Sequence, residues 1–153
     1  MRSLFFCAIL NSLLFIPDGS RQTYIEGYWM NDAGDAIVKI YNNEDGTLSG
    51  DIVWLLDSLD TYEQPLRDVM NHKPEKRSRL VQGLTVLYDF EWSNDAWRYG
   101  TFYNYKTGND YEIKISLDKD GNLRLTGYYG ILFFLGKTKI WTPVADKNLY
   151  GLK

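Results

Sequence analysis

Residues 36–55 read AIVKIYNNEDGTLSGDIVWL. Two apolar-alternating runs flank Asn43-Glu44-Asp45-Gly46. Asp-Gly between such runs signals a β-hairpin, because glycine supplies the positive φ that the turn needs. On the second run Leu48, Ile52 and Trp54 share one face and Thr47, Asp51 and Val53 the other, since a strand's side chains alternate.

Working outward, the same idiom recurs. Gly27-Tyr28-Trp29-Met30 opens the β-rich part. Leu84, Val86, Tyr88, Phe90 and Trp92 alternate with Thr85, Leu87, Asp89 and Glu91, a period of two. Ser93-Asn94-Asp95 turns the chain into residues 97–105, where Trp97, Tyr99, Thr101, Tyr103 and Tyr105 share a face. After the turn Lys106-Thr107-Gly108-Asn109, Tyr111, Ile113, Ile115 and Leu117 face one way. Asp118-Lys119-Asp120-Gly121 forms another hairpin turn before Leu123, Leu125, Gly127 and Tyr129, and the last strand covers about residues 137–143. About eight strands joined mostly by short turns predict an all-β antiparallel meander, closed as a single up-and-down barrel or stacked as a sandwich. Closure removes the exposed strand edges that an open meander would leave.

Residues 56–82 break the pattern. They carry Pro65, Pro74, the sole histidine His72, and the basic residues Lys73, Lys76, Arg77 and Arg79. A connection this long in a compact domain is functional or carries structure of its own. Pro74 is suited to start one helical turn, with Glu75 in its first turn.

Composition bounds the function. The chain has 153 residues, 44% hydrophobic and 24% charged, which fits one globular domain. A net charge of −3 argues against a nucleic-acid partner, which would require a basic face. Residues 1–20 differ in kind. Arg2 precedes an apolar run at residues 4–16, LFFCAILNSLLFI. A spanning helix needs ~20 apolar residues; this run reads as a secretory signal peptide, with Gly19 and Ser20 near the cleavage point. The expectation is a mature domain of residues 21–153, exported to the periplasm or the cell surface, without a transmembrane span. Cys7 lies inside the leader and lacks the Leu-Ala-Gly context of a lipoprotein cysteine.

The residues that carry the pattern resemble a known family. Gly27-x-Trp29, Asp45-Gly46-Thr47-Leu48-x-Gly50-x-Ile52-Val53-Trp54, and Pro65-Leu66-x-Asp68 with Asn71, Arg77 and Arg79 stand in its order. So do Gly83-Leu84, Gly100 with Tyr103, Gly108 with Tyr111, Leu125-x-Gly127-Tyr128-x-Gly130 and Gly136-x-Thr138-x-x-Trp141. Across residues 27–143 the chain resembles the bacterial secreted family called domain of unknown function 2147. It departs at Lys137, where that family usually has arginine, and at His72-Lys73 after Asn71. The resemblance implies an exported, lipocalin-like (calycin-type) barrel and carries over no catalytic residue. By analogy with lipocalins, Trp29 would close the barrel base under a cation from Lys137, Lys139 or Arg124.

No catalytic constellation emerges. A Ser-His-Asp triad would rest on His72, which sits in a polar, lysine-rich loop and reads as a surface residue. Zinc or iron sites of the usual His/Cys kind lack ligands. Asp57, Asp60, Glu63 and Asp68 do not match a calcium loop. No cofactor is expected, and carboxylate-based hydrolysis or isomerisation ranks last. Binding fits better. Trp54, Tyr88, Trp92, Tyr99, Tyr103, Tyr111 and Tyr129, taken as one face, would give an apolar interior with phenol hydroxyls, suited to a small hydrophobic or amphipathic ligand. The same aromatics equally make a filled core, because eight strands enclose either. Arg79 could clamp an anionic head group or pair with Asp68 to pin the loop. Residues 131–135, ILFFL, flank the expected mouth as a buried strand end or an exposed lip. The candidate ligand set is therefore Trp54, Tyr88, Trp92, Tyr103, Tyr111, Tyr129 and Arg79. The rival reading is an envelope protein–protein interaction module with a filled barrel.

Overall fold

In the computed structural model, the described residues are 25–127 and 138–152. The leader at residues 1–20, Tyr129, Lys137 and the 131–135 segment lie outside them.

Eight strands follow in sequence order: β1 Gly27–Met30, β2 Ala36–Asn42, β3 Leu48–Leu55, β4 Thr85–Ser93, β5 Ala96–Asn104, β6 Asn109–Leu117, β7 Leu123–Gly127 and β8 Lys139–Pro143. Each pairs antiparallel with the next, and β8 returns to β1 through Trp29↔Pro143 and Met30↔Thr142. The sheet is a closed up-and-down barrel. The β2–β3 turn forms as its residues dictate. Gly46 takes φ 83° and donates its N–H to the Asn43 carbonyl at 3.0 Å. The Asp45 carboxylate accepts from the Thr47 N–H and hydroxyl at 2.9 and 2.7 Å. Asp118–Gly121 repeats the construction, with Gly121 at φ 82°.

The two ends of the barrel differ. At the base lie the β2–β3, β4–β5 and β6–β7 turns, and the interior there is packed with apolar side chains. Leu48, Phe90, Trp97, Ile115 and Leu123 are each fully buried there. Ile25 plugs this end, and the Trp29 indole N–H reaches back to the Ile25 carbonyl at 2.9 Å. Among the described residues, lysine ammonium groups stand over Tyr28 and Tyr105. Of the three cations expected over Trp29, Lys137 lies outside the described residues and Lys139 contacts Asp32.

The alternation read from the sequence is interrupted where the register shifts, between β2 and β3, β3 and β4, and β5 and β6. Between Ile37↔Trp54 and Val38↔Ile52 the β2–β3 register shifts by one. Such a bulge turns every later side chain to the other face. Trp54 therefore leaves the face of Leu48 and Ile52 and packs edge-on against Tyr150, 5.0 Å between centroids, on the C-terminal 3-10 turn Lys147–Tyr150. On β4 and β5, Asp89 (φ 64°) and Tyr99 (φ 61°) interrupt both strands between the pairs Tyr88↔Thr101 and Glu91↔Arg98. Leu87, Phe90 and Trp97 face inward, while Tyr88 shares the outer face with Thr101, and Tyr99 is 65% exposed. The single aromatic face expected from sequence is thus three surfaces.

The 56–84 connection is ordered over the other end, the mouth. Bridges Leu59↔Pro65 and Arg67↔Leu80 fold it back on itself. Pro74–Lys76 forms a single 3-10 turn with proline in its first turn and Glu75 beside it.

Candidate functional site at the barrel mouth

At the mouth the β1–β2 turn, the long connection and the β5–β6 turn converge. Asn31 builds the first of these. Its side-chain oxygen accepts from the Asp35 and Ala36 N–H groups at 3.0 and 3.3 Å, and its amide donates to Asp35 Oδ1 at 2.7 Å. Asn104 builds the β5–β6 turn: its side chain accepts from the Lys106 N–H at 3.0 Å and its carbonyl from the Gly108 N–H at 2.8 Å.

Inside this ring a cavity of about 140 Å³ opens into the barrel. Val38, Ile52, Val86, Phe102, Leu125 and Trp141 form its apolar wall. Phe102 meets Trp141 edge-on at 6.2 Å and stacks on Tyr111 at 6.4 Å, which fixes that side of the wall. The rim is polar: Asn31, Asp32, Tyr105, Lys106 and Lys139. Lys106 contacts Asp35, and Lys139 contacts Asp32. Burial works against the Asp35 charge, but the Lys106 ammonium and the Asn31 amide outweigh it and hold the carboxyl below its ordinary range. The same contact raises the Lys106 ammonium above its ordinary value, and burial raises the Tyr105 phenol.

Tyr105 and Lys106 also border a second hollow, about 330 Å³, on the outside of the mouth. Leu66, Val69 and Met70 of the long connection line it, with Arg67, Asp35 and Asp57 at its edge. Two side chains therefore separate the barrel interior from an outer groove.

The long connection is anchored by a buried polar cluster. Asp68 is fully buried. It accepts from the Tyr103 hydroxyl at 2.5 Å, the Asn71 amide at 2.9 Å and Arg79 Nη2 at 2.6 Å. Asn71 also donates to the Tyr103 oxygen at 2.8 Å. Burial and then the Asp68 carboxylate push the Tyr103 phenol up to about 12. A buried carboxylate is tolerated only when its lone pairs are filled this way.

Of the seven residues read from sequence as ligand contacts, Tyr103 lines the cavity. Tyr111 backs Phe102 from the same inward face. Trp92 packs edge-on against Trp97, 5.5 Å away, in the base half. Tyr88 points outward and donates to Asp110 at 2.8 Å; burial and that carboxylate raise its phenol well above the ordinary value. Trp54 lies outside the barrel against Tyr150, for the register reason given above. Arg79 pairs with Asp68 and pins the loop. Tyr129 lies outside the described residues. His72 is exposed, 3.0 Å from Asn109 Oδ1. The rim residues Asn31, Asp32 and Lys106 were not legible, because their turns carry no motif that distinguishes a mouth from a base. Among the described residues no group of three or more His, Cys, Asp and Glu is placed to hold a metal ion, and no helix is long and apolar enough to cross a membrane.

Comparison with known proteins agrees with this architecture. No curated protein matches the chain. A solved structure of a Helicobacter pylori protein, described as belonging to the lipocalin family, superposes with a TM-score of 0.65 at 20% identity. The match covers 81% of this chain and 85% of that one. The family model for uncharacterized proteins conserved in bacteria, DUF2147, matches residues 27–143. This closed eight-stranded, lipocalin-like chain therefore belongs to the DUF2147 family.

Proposed function

We propose that the protein is an exported binder of a small, partly apolar ligand held at the barrel mouth. One observation carries this: the barrel is filled with fully buried apolar side chains at its base and opens into a cavity at its mouth, where an apolar wall is framed by charged side chains. A structural module has no need of that asymmetry, whereas pockets for small molecules combine apolar walls with a few placed polar groups. The volume sets the scale. A cavity near 150 Å³ holds one benzene-sized body, and about 140 Å³ is available here. Export rests on the charged start and apolar run of residues 1–20. Native mass spectrometry of residues 21–153, purified from the periplasm, tests the reading. A mass excess that disappears on denaturation, with an extractable small molecule, supports it. A bare mass that gains nothing from a metabolite extract removes it.

A second reading is recognition of an envelope protein through the mouth loops. Leu56, Leu59, Tyr62, Val69, Met70 and Leu80 are all exposed, and all belong to the long connection. Clustered exposed apolar side chains mark interaction surfaces. Crosslinking from Tyr62 in the native envelope discriminates: a single specific protein adduct favours this reading, and none disfavours it.

A further inference from the structure

We infer that the mouth cavity selects a small aromatic monocarboxylate, its ring against the apolar wall and its carboxylate on the rim ammonium groups, chiefly Lys106. The inference rests on the proposed binding site and names the ligand class.

Size comes first. Apolar side chains wall about 140 Å³ of the mouth, room for a single ring. Aromatic rings already set the shape of that wall. Phe102 and Trp141 meet edge-on at 6.2 Å, an arrangement that a further ring extends readily.

Charge comes second. Among the described residues, the side chains that line the cavity include Lys106, Lys139 and one carboxylate, Asp32. Asp35, the partner of Lys106, lies outside the lining, on the outer groove. Both lysines are ion-paired, Lys139 with Asp32 and Lys106 with Asp35; within the lining a ligand meets the Lys106 ammonium but not the Asp35 carboxylate, which favours an anionic group over a cationic one.

Exchange comes third. For Lys106 to turn from Asp35 to a ligand, Asp35 must remain satisfied. It keeps the Asn31 amide on Oδ1 at 2.7 Å, and its side chain is 26% exposed, so water can reach the vacated oxygen. Lys106 is half exposed and flexible enough to make the move. It also borders both hollows, which places its ammonium where a ligand entering from outside passes.

The test is titration calorimetry on residues 21–153 with phenylacetate, its uncharged counterpart benzyl alcohol, and benzylamine. Wild-type protein is compared with Lys106→Met and with Lys106→Met/Asp35→Asn, which removes the orphaned carboxylate. Amide NMR spectra report folding and locate binding near Phe102 and Trp141. The expected result is that phenylacetate binds at least ~10-fold more tightly than benzyl alcohol, a difference of about 1.4 kcal/mol. Both variants should lose that preference. Benzyl alcohol or benzylamine binding as tightly as phenylacetate would overturn the carboxylate inference and leave the cavity reading standing. Absence of binding by all three probes would overturn both. A preference that survives in the double variant would overturn the role of Lys106.

Discussion

Gly108 lies so close to Met70 that a methyl group on its Cα would come within 2.0 Å of the Met70 carbonyl oxygen. The β5–β6 turn and the long connection are thus pressed backbone to backbone, and Gly108 also takes φ 75°. Glycine is required twice over, for space and for conformation. Gly108→Ala should destabilise the protein by about 2–4 kcal/mol, combining left-handed strain with overpacking. Hydrogen exchange should rise first in residues 56–82. A variant with unchanged melting temperature and unchanged exchange in that stretch would show that the loop is not seated by this contact.

Tyr103 and Asp68 predict a pH dependence. The Tyr103 phenol is raised to about 12 in the folded state, by burial first and by the Asp68 carboxylate next. Its unfolded value is about 10. A raised folded value means that its contribution is fully present below pH 10 and is lost as pH climbs towards 12. Tyr103→Phe should cost about 1–3 kcal/mol at neutral pH, since Asp68 loses a donor in a buried site. Between pH 10 and 12 the variant should lose less stability than the wild type. Parallel denaturation curves across that window would contradict the assignment.

Trp29 closes the base by its own ring and its indole N–H bond to Ile25. Trp29→Ala should lower stability by about 3–5 kcal/mol, the range for removing a buried aromatic. Trp29→Phe keeps part of the packing but drops the bond, so it should fall between. Chemical denaturation with the three proteins decides; equal midpoints would remove Trp29 from the core.

Tyr99 sits at φ 61° with its ring largely in solvent. A left-handed conformation at a non-glycine residue costs of order 1–3 kcal/mol. Tyr99→Gly should therefore leave the melting temperature unchanged or raise it, while Thr101→Gly, a glycine placed in regular strand, should lower it. Equal losses at both positions would mean that Tyr99 is not strained.

Gly100, next to Tyr99, shows how these interruptions are used. A Cβ there would lie 2.2 Å from the Phe90 ring, so Phe90 folds directly over the bare backbone. The consequence is a solid base: Phe90 turns inward beside Trp97 because both strands change face together.

The strands and their antiparallel order were legible in the residues themselves, and the closed barrel followed from the family resemblance. Asp45-Gly46 and Asp118-x-x-Gly121 force turns locally, and period-two alternation marks strands without reference to anything distant. The Asp68–Arg79 pairing was also weighed from sequence, because both residues lie in one loop. What the tertiary structure alone decided is which side chains face the interior. Trp54 and Tyr88 read as inward by alternation and lie outward, since the register shifts that flip them arise where β3 pairs with β2 and where β4 pairs with β3. The same holds for the mouth. Lys106 and Asp35 are 71 residues apart, and Lys139 and Asp32 are 107 apart. Alternation is a property of one strand, whereas facing depends on the register between strands, and only the closed barrel fixes that register.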